Sequence, residues 1–156
     1  MKKLILVMSF LSILFGCKSN NQEDQISENS TQRFSDNGEF VYNKQFAHFS
    51  ANQVDSKGEV ELEKFKSEFR SFDWKQQLTE ANIKRTVSPS IAVRHNPTNY
   101  ELGISVVGND STDYGFWIFF GKFQNMNSVE VFDEEEVLPY INKFFNKEFD
   151  SLNREI

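Results

Sequence analysis

Between Tyr100 and Phe123 the chain leaves little choice of backbone. Tyr100, Leu102, Ile104 and Val106 alternate with Glu101, Gly103, Ser105 and Val107, a period of two that reads as a half-buried strand. After the polar loop 108–113 comes Tyr114-Gly-Phe-Trp-Ile-Phe-Phe-Gly-Lys-Phe123, apolar on both parities, as in a strand covered on both faces. Ile91 and Val93 mark a strand before this pair and Val129 and Val131 one after it. Pro89 confines the first to an edge or delays its start. Asn96-Pro97-Thr98-Asn99 is turn chemistry between two of these strands.

On either side the period is helical. Leu62, Phe65, Phe69 and Phe72 recur three and four apart among charged residues, and Trp74, Leu78 and Ala81 form a second short stripe. Asp73 with Gln76, and Asp133 with Glu136, have capping-box spacing, and Phe132 is placed to staple onto Val137. Val137, Ile141, Phe144, Phe145, Phe149 and Leu152 predict one long last helix, with Pro139 kinking it or delaying its regular part to near Leu138. The expected fold is α+β: two N-terminal helices, a four-stranded antiparallel meander, and a long C-terminal helix packed on one face. Glu39 to Val54 shows no clear period; Phe40-Val41-Tyr42 suits a short strand.

The first residues follow a different logic. Met1-Lys2-Lys3 precedes an apolar run from Leu4 to Phe15, too short for a bilayer-spanning helix of roughly 20 residues. A basic head, short apolar stretch and small residue read as a secretory signal. Leu14-Phe15-Gly16-Cys17 resembles the lipobox of bacterial lipoproteins. The resemblance implies cleavage before Cys17, diacylglycerol on its sulfur, an acyl chain such as palmitate on the new amino group, and a lipid anchor in the cell envelope. Cys17 is the sole cysteine, so no disulfide is available within the chain. The expected organisation is a signal peptide over 1–16, lipidated Cys17 and a flexible tether over 17–38, and one domain over 39–156. In 18–38 the only large apolar residues are Ile26 and Phe34, too few to offset the entropy of ordering.

Without Lys2 and Lys3, the 17 basic residues become 15 against 23 acidic ones, a net charge of −8. That balance argues against nucleic acid, whose binding needs a basic patch. Chemistry is sparse. There is no G-x-S-x-G, no HExxH and no glycine-rich phosphate loop. His48 reads as a packed histidine, and His95 would serve a small envelope hydrolase only with Ser88, Ser90 or Asp113 beside it. The loop from Asn109 or Asp110 lacks either the sixth-position Gly or the twelfth-position Glu of a calcium loop. No cofactor is expected.

The most suggestive feature is the other side of the third strand. If Phe116, Ile118 and Phe120 face the helices, Trp117, Phe119 and Phe123 face away, near Arg94 and Glu101. This is a candidate binding face unless Phe40–Phe49 cover it. The expectation is a non-enzymatic, lipid-anchored envelope protein whose domain binds a protein or other macromolecule. A compact acidic body of strands and flanking helices is also broadly similar to immunity-type proteins that neutralise a delivered toxin.

Overall fold

The structure is a computed structural model describing residues 33–84, 87–110 and 112–156. The expected leader, its lipobox and Cys17 lie outside these residues. Six strands, β1 (Phe40–Gln45), β2 (Asp55–Glu59), β3 (Ser90–His95), β4 (Tyr100–Gly108), β5 (Tyr114–Lys122) and β6 (Asn125–Val131), form one antiparallel sheet in the order β2-β1-β3-β4-β5-β6. Helices α1 (Leu62–Arg70) and α2 (Trp74–Lys84) lie between β2 and β3, and α3 (Glu134–Phe145) and α4 (Phe149–Glu155) follow β6.

This corrects the expected fold in three places. The sheet has six strands rather than four, because β1 and β2 precede the helices and extend it beyond β3. β1 is buried on both parities over its first four residues, so no alternation betrays it. β2, Asp-Ser-Lys-Gly-Glu, is an edge strand with no apolar side chain, held by the backbone ladder to β1. The two helices expected at the N-terminus are therefore internal, a crossover that returns the chain to β3 beside β1. The single long last helix is two helices. Lys147 takes φ +61° between them, a left-handed turn that ends α3.

One face of the sheet carries the core. Phe40 and Tyr42 of β1, Ile91 and Val93 of β3, Leu102, Ile104 and Val106 of β4, and Phe116, Ile118 and Phe120 of β5 are buried under the helices. Phe65 and Phe69 of α1 and Ile141 and Phe144 of α3 pack down on them. Aromatic rings interlock across elements: Phe120 lies 6.2 Å from Phe144 and Phe69 5.7 Å from Phe116. Offset and edge-on contacts at such separations add to what area burial alone supplies. Trp74 meets its polar requirement inside this core by donating Nε1–H to the Phe69 carbonyl at 2.9 Å.

Helix starts follow their caps. Asp73 Oδ1 accepts the Gln76 amide at 3.1 Å, and Asp133 Oδ1 accepts that of Glu136 at 3.0 Å. Glu136 reaches back, but to the Phe132 amide, at 2.7 Å. The expected staple is not made: Phe132 is 75% exposed while Val137 is buried. α3 is helical from Glu134, so Pro139 sits inside it rather than delaying its start.

A buried-side tie joins β1 to α1. Glu68 accepts from Lys44 and from Lys64, each at 2.6 Å, and these hydrogen bonds hold its carboxyl down to about 2. A carboxylate favoured in the folded state contributes stability above its unfolded pKa and loses that contribution as pH falls through the folded value. Glu68→Gln is therefore expected to lower stability at pH 7 by a margin that closes as the pH approaches 2. Urea unfolding at several pH values checks this, and a margin independent of pH contradicts it.

Candidate functional site

The face of the sheet away from the helices divides into a covered half and an open half. Alternation places Val41 and Asn43 of β1, Ala92 and Arg94 of β3, and Glu101, Gly103 and Ser105 of β4 on this side. Residues 33–38, which composition assigns to the tether, lie across them. Phe34 is only 3% exposed and packs on Val41 and Ala92. The strap is held by side chains of β1 and of the turn after β3. Asn43 Nδ2 donates to the Arg33 carbonyl at 2.8 Å, and Asn96 Nδ2 donates to the carbonyls of Gly38 and Ser35 at 2.8 and 3.3 Å.

Arg94 and Glu101, expected as a charged rim, belong to the covered half and are both buried. The Arg94 guanidinium lies 5.0 Å from the centre of the Phe34 ring, donates to Asn96 Oδ1 at 2.8 Å, and stands 3.5 Å from the Asp36 carboxylate. Burial pushes the Glu101 carboxyl above its ordinary range, and attraction to Arg33 and Arg94 opposes that rise. Both residues therefore serve to seat the strap, and neither is presented to solvent.

The open half is aromatic. Trp117 and Phe123 are 46% and 39% exposed, with Phe119 half-buried between them. Trp117 and Phe119 meet edge-on at 6.1 Å. Their cross-strand neighbours are small on one side, Ser105 and Gly103 of β4, and Glu130 and Ser128 of β6 on the other. A Cβ added at Gly103 would meet Phe119 Cβ at 3.8 Å, an ordinary van der Waals contact, so this position has room for a small side chain beside the Phe119 ring. Arg33 joins the two halves, its guanidinium 5.9 Å from the Phe34 ring and 5.8 Å from that of Phe123.

Phe40–Phe49 do not cover this face. Phe40 is in the core against Phe145 at 4.6 Å, and Phe46 packs on Phe72 at 5.3 Å, on the helical side. The residues that sequence reasoning missed are Arg33 and Phe34. A cation–aromatic pair closing an otherwise polar segment was their one signal.

His95 lies on the opposite face, where β3 ends. It is buried between Phe40, at 4.9 Å, and Phe149, at 5.3 Å, with Nδ1 2.7 Å from Thr98 Oγ1 and Nε2 3.3 Å from Glu39 Oε1. Glu39 also takes Lys147 at 2.5 Å, and these two bonds, Lys147 first, lower its pKa. Ser88 and Ser90 stand at the far end of β3, with Ser90 on the other face, and Asp113 leads into β5 at the opposite end of the sheet. The triad that a hydrolase reading required is not assembled. His95 instead links β1, the 95–99 turn and the helical layer.

Asp110 Oδ1 accepts from the amides of Thr112 and Asp113 at 2.7 and 3.1 Å, turning the β4–β5 loop. Among the described residues no three His, Cys, Asp or Glu side chains are gathered as a metal site, and no helix is long and apolar enough to cross a membrane. Compared with protein-family models, curated proteins and solved structures, the chain matches none.

Proposed function

We propose that this is a non-enzymatic lipoprotein of the bacterial cell envelope, anchored through Cys17, whose domain binds a protein partner on the Trp117–Phe119–Phe123 face. The observation that supports the binding surface is the unequal cover of one sheet face. Among the described residues a strap closes the β1–β3–β4 half, while Trp117 and Phe123 stay exposed and Phe119 half-buried. Exposed aromatic clusters of this kind mark interaction surfaces. Trp is also prominent among residues that dominate binding energy. Removing the exposed part of Trp117 from water, on the order of 100 Å², returns about 2.5 kcal/mol.

The face is rigid because both neighbouring strands hold β5 in unbroken register, so its rings are ordered before a partner arrives. Little ordering entropy is then lost on binding. A photo-crosslinking amino acid in place of Phe123, in the full chain expressed in bacteria, is expected to trap one reproducible envelope protein. Trp117→Ala is expected to weaken that complex about 30-fold without changing the melting temperature. Failure to trap a reproducible partner, or a complex indifferent to Trp117→Ala, overturns the reading.

A further inference from the structure

The sheet ends in two unlike edges. β2 is five residues long, carries Asp55, Lys57 and Glu59, has Gly58 at φ +80°, and meets β1 with a register shift between Tyr42 and Asn43. Charge, shortness and irregularity are the usual means by which an edge strand is kept from pairing with another chain. β6 has few of them. Its seven residues contain no proline and a single charge, Glu130, and they pair with β5 over seven consecutive positions without a shift. Its outer row of backbone N–H and C=O groups is a template for a further strand.

The surroundings of β6 define what such a strand would carry. On the helical side an open groove of about 450 Å³ runs between β6 and α3, bordered by Phe132, Pro139 and Tyr140. Phe132 stands free there, as noted above. The charge along this edge is acidic: Glu130 on the strand, and Asp133, Glu134, Glu135 and Glu136 at the start of α3. The cations nearby are engaged: Lys143 with Glu155, Arg70 with Glu135 at 3.6 Å, and Lys122, opposite Asn125, over the Tyr100 ring at 5.3 Å.

We propose that β6 is a docking edge for an extended, basic segment of another protein, added to the sheet as a seventh strand. Main-chain hydrogen bonds to β6 supply affinity, and alternate side chains supply specificity. Basic side chains meet Glu130 and the acidic start of α3, and apolar ones meet Phe132 and Tyr140. A second copy of this chain fits the edge less well. Pairing β6 with β6 brings acidic rims together in a chain whose net charge is already −6. Glu130 stands beside Trp117, but the outer backbone edge of β6 and the groove by Phe132 and Tyr140 do not depend on the aromatic rings of β5.

The test uses the full chain in detergent micelles and a blocked seven-residue peptide alternating Lys and Val. Amide hydrogen exchange in β6 is expected to slow on peptide addition, and Glu130→Lys with Phe132→Ser to weaken binding at least about tenfold. Both residues are exposed, so the variant is expected to melt with the parent. Trp117→Ala is expected to bind the peptide unchanged. Three results would overturn the proposal. One is β6 exchange unaffected by saturating peptide. Another is equal binding of a peptide N-methylated at every residue, which shows charge adhesion without strand addition. The third is protection, before any peptide is added, of the outward-pointing β6 amides that do not bond to β5. Protection with a doubled sedimentation mass then assigns the edge to a second copy, and protection at the monomer mass assigns it to the chain's own N-terminal segment.

Discussion

Cys17→Ser is expected to abolish incorporation of labelled palmitate and to leave the protein either unprocessed or released from the membrane fraction. The size of this effect follows from the anchor proposed above. Each buried methylene contributes about 0.8 kcal/mol, so one long acyl chain holds marginally and two or three hold firmly. The domain offers little to replace them. Its acidic excess repels anionic headgroups, and among the described residues no helix can span a bilayer. Fractionation and metabolic labelling of the full chain check the outcome. Undiminished labelling in the variant would remove Cys17 from the proposed function, while leaving the β5 face and the β6 edge to be judged on their own tests.

The second large effect is inside the domain. Phe144→Ala is expected to destabilise the fold by about 3–5 kcal/mol, the range for a phenylalanine lost from a packed core. Phe144 is fully buried, and its ring lies 5.9 Å from Phe40 of β1, 6.2 Å from Phe120 of β5 and 5.5 Å from Phe149 of α4. The cavity would therefore open between three elements at once, where no single side chain can relax to fill it. Domains of this size are stable by only about 5–15 kcal/mol, so the loss is a large share of the whole. Phe123→Ala, on the open face, is the control and is expected to shift stability by less than about 0.5 kcal/mol. Urea unfolding midpoints of the two variants decide the matter, and equal midpoints would contradict the packing described.

The candidate site was legible in part. Trp117, Phe119 and Phe123 share a face away from the core because a strand alternates its side chains, and that can be read from the parity of Phe116, Ile118 and Phe120. Arg94 and Glu101 share the face too, but which residues lie over them is a question of tertiary contact. The strap of residues 33–38 comes from a segment whose composition predicts disorder. It is held by one buried ring, Phe34, by the side-chain amides of Asn43 and Asn96 and by Arg94, none of which leaves a periodic trace. His95 shows the same limit. Its sequence neighbours allowed Ser90 as a partner, yet strand alternation places Ser90 on the opposite face, and Glu39 arrives only when β1 joins β3.

By itself the chain marked four strands between Ser90 and Val131, although residues 124–127 read as a turn and the last strand in fact begins at Asn125, and it marked the two capped helix starts at Asp73 and Asp133. These are local properties: a period of two that buries one face, and a side-chain oxygen within reach of an amide three residues on. It also set the aromatic content and acidic balance that narrow the partners. Only the tertiary structure decided the rest. Phe40-Val41-Tyr42 suits a short strand, and β1 begins there, but its extension to Gln45, its place beside β3 and the whole of the polar β2 rest on backbone pairing that no side-chain pattern encodes. The break at Lys147 is likewise invisible, because the apolar stripe continues through it. And whether an aromatic face stays open depends on which distant segment reaches it: among the described residues the strap lies over β1, β3 and β4, Arg33 is beside Phe123, and Trp117 is exposed.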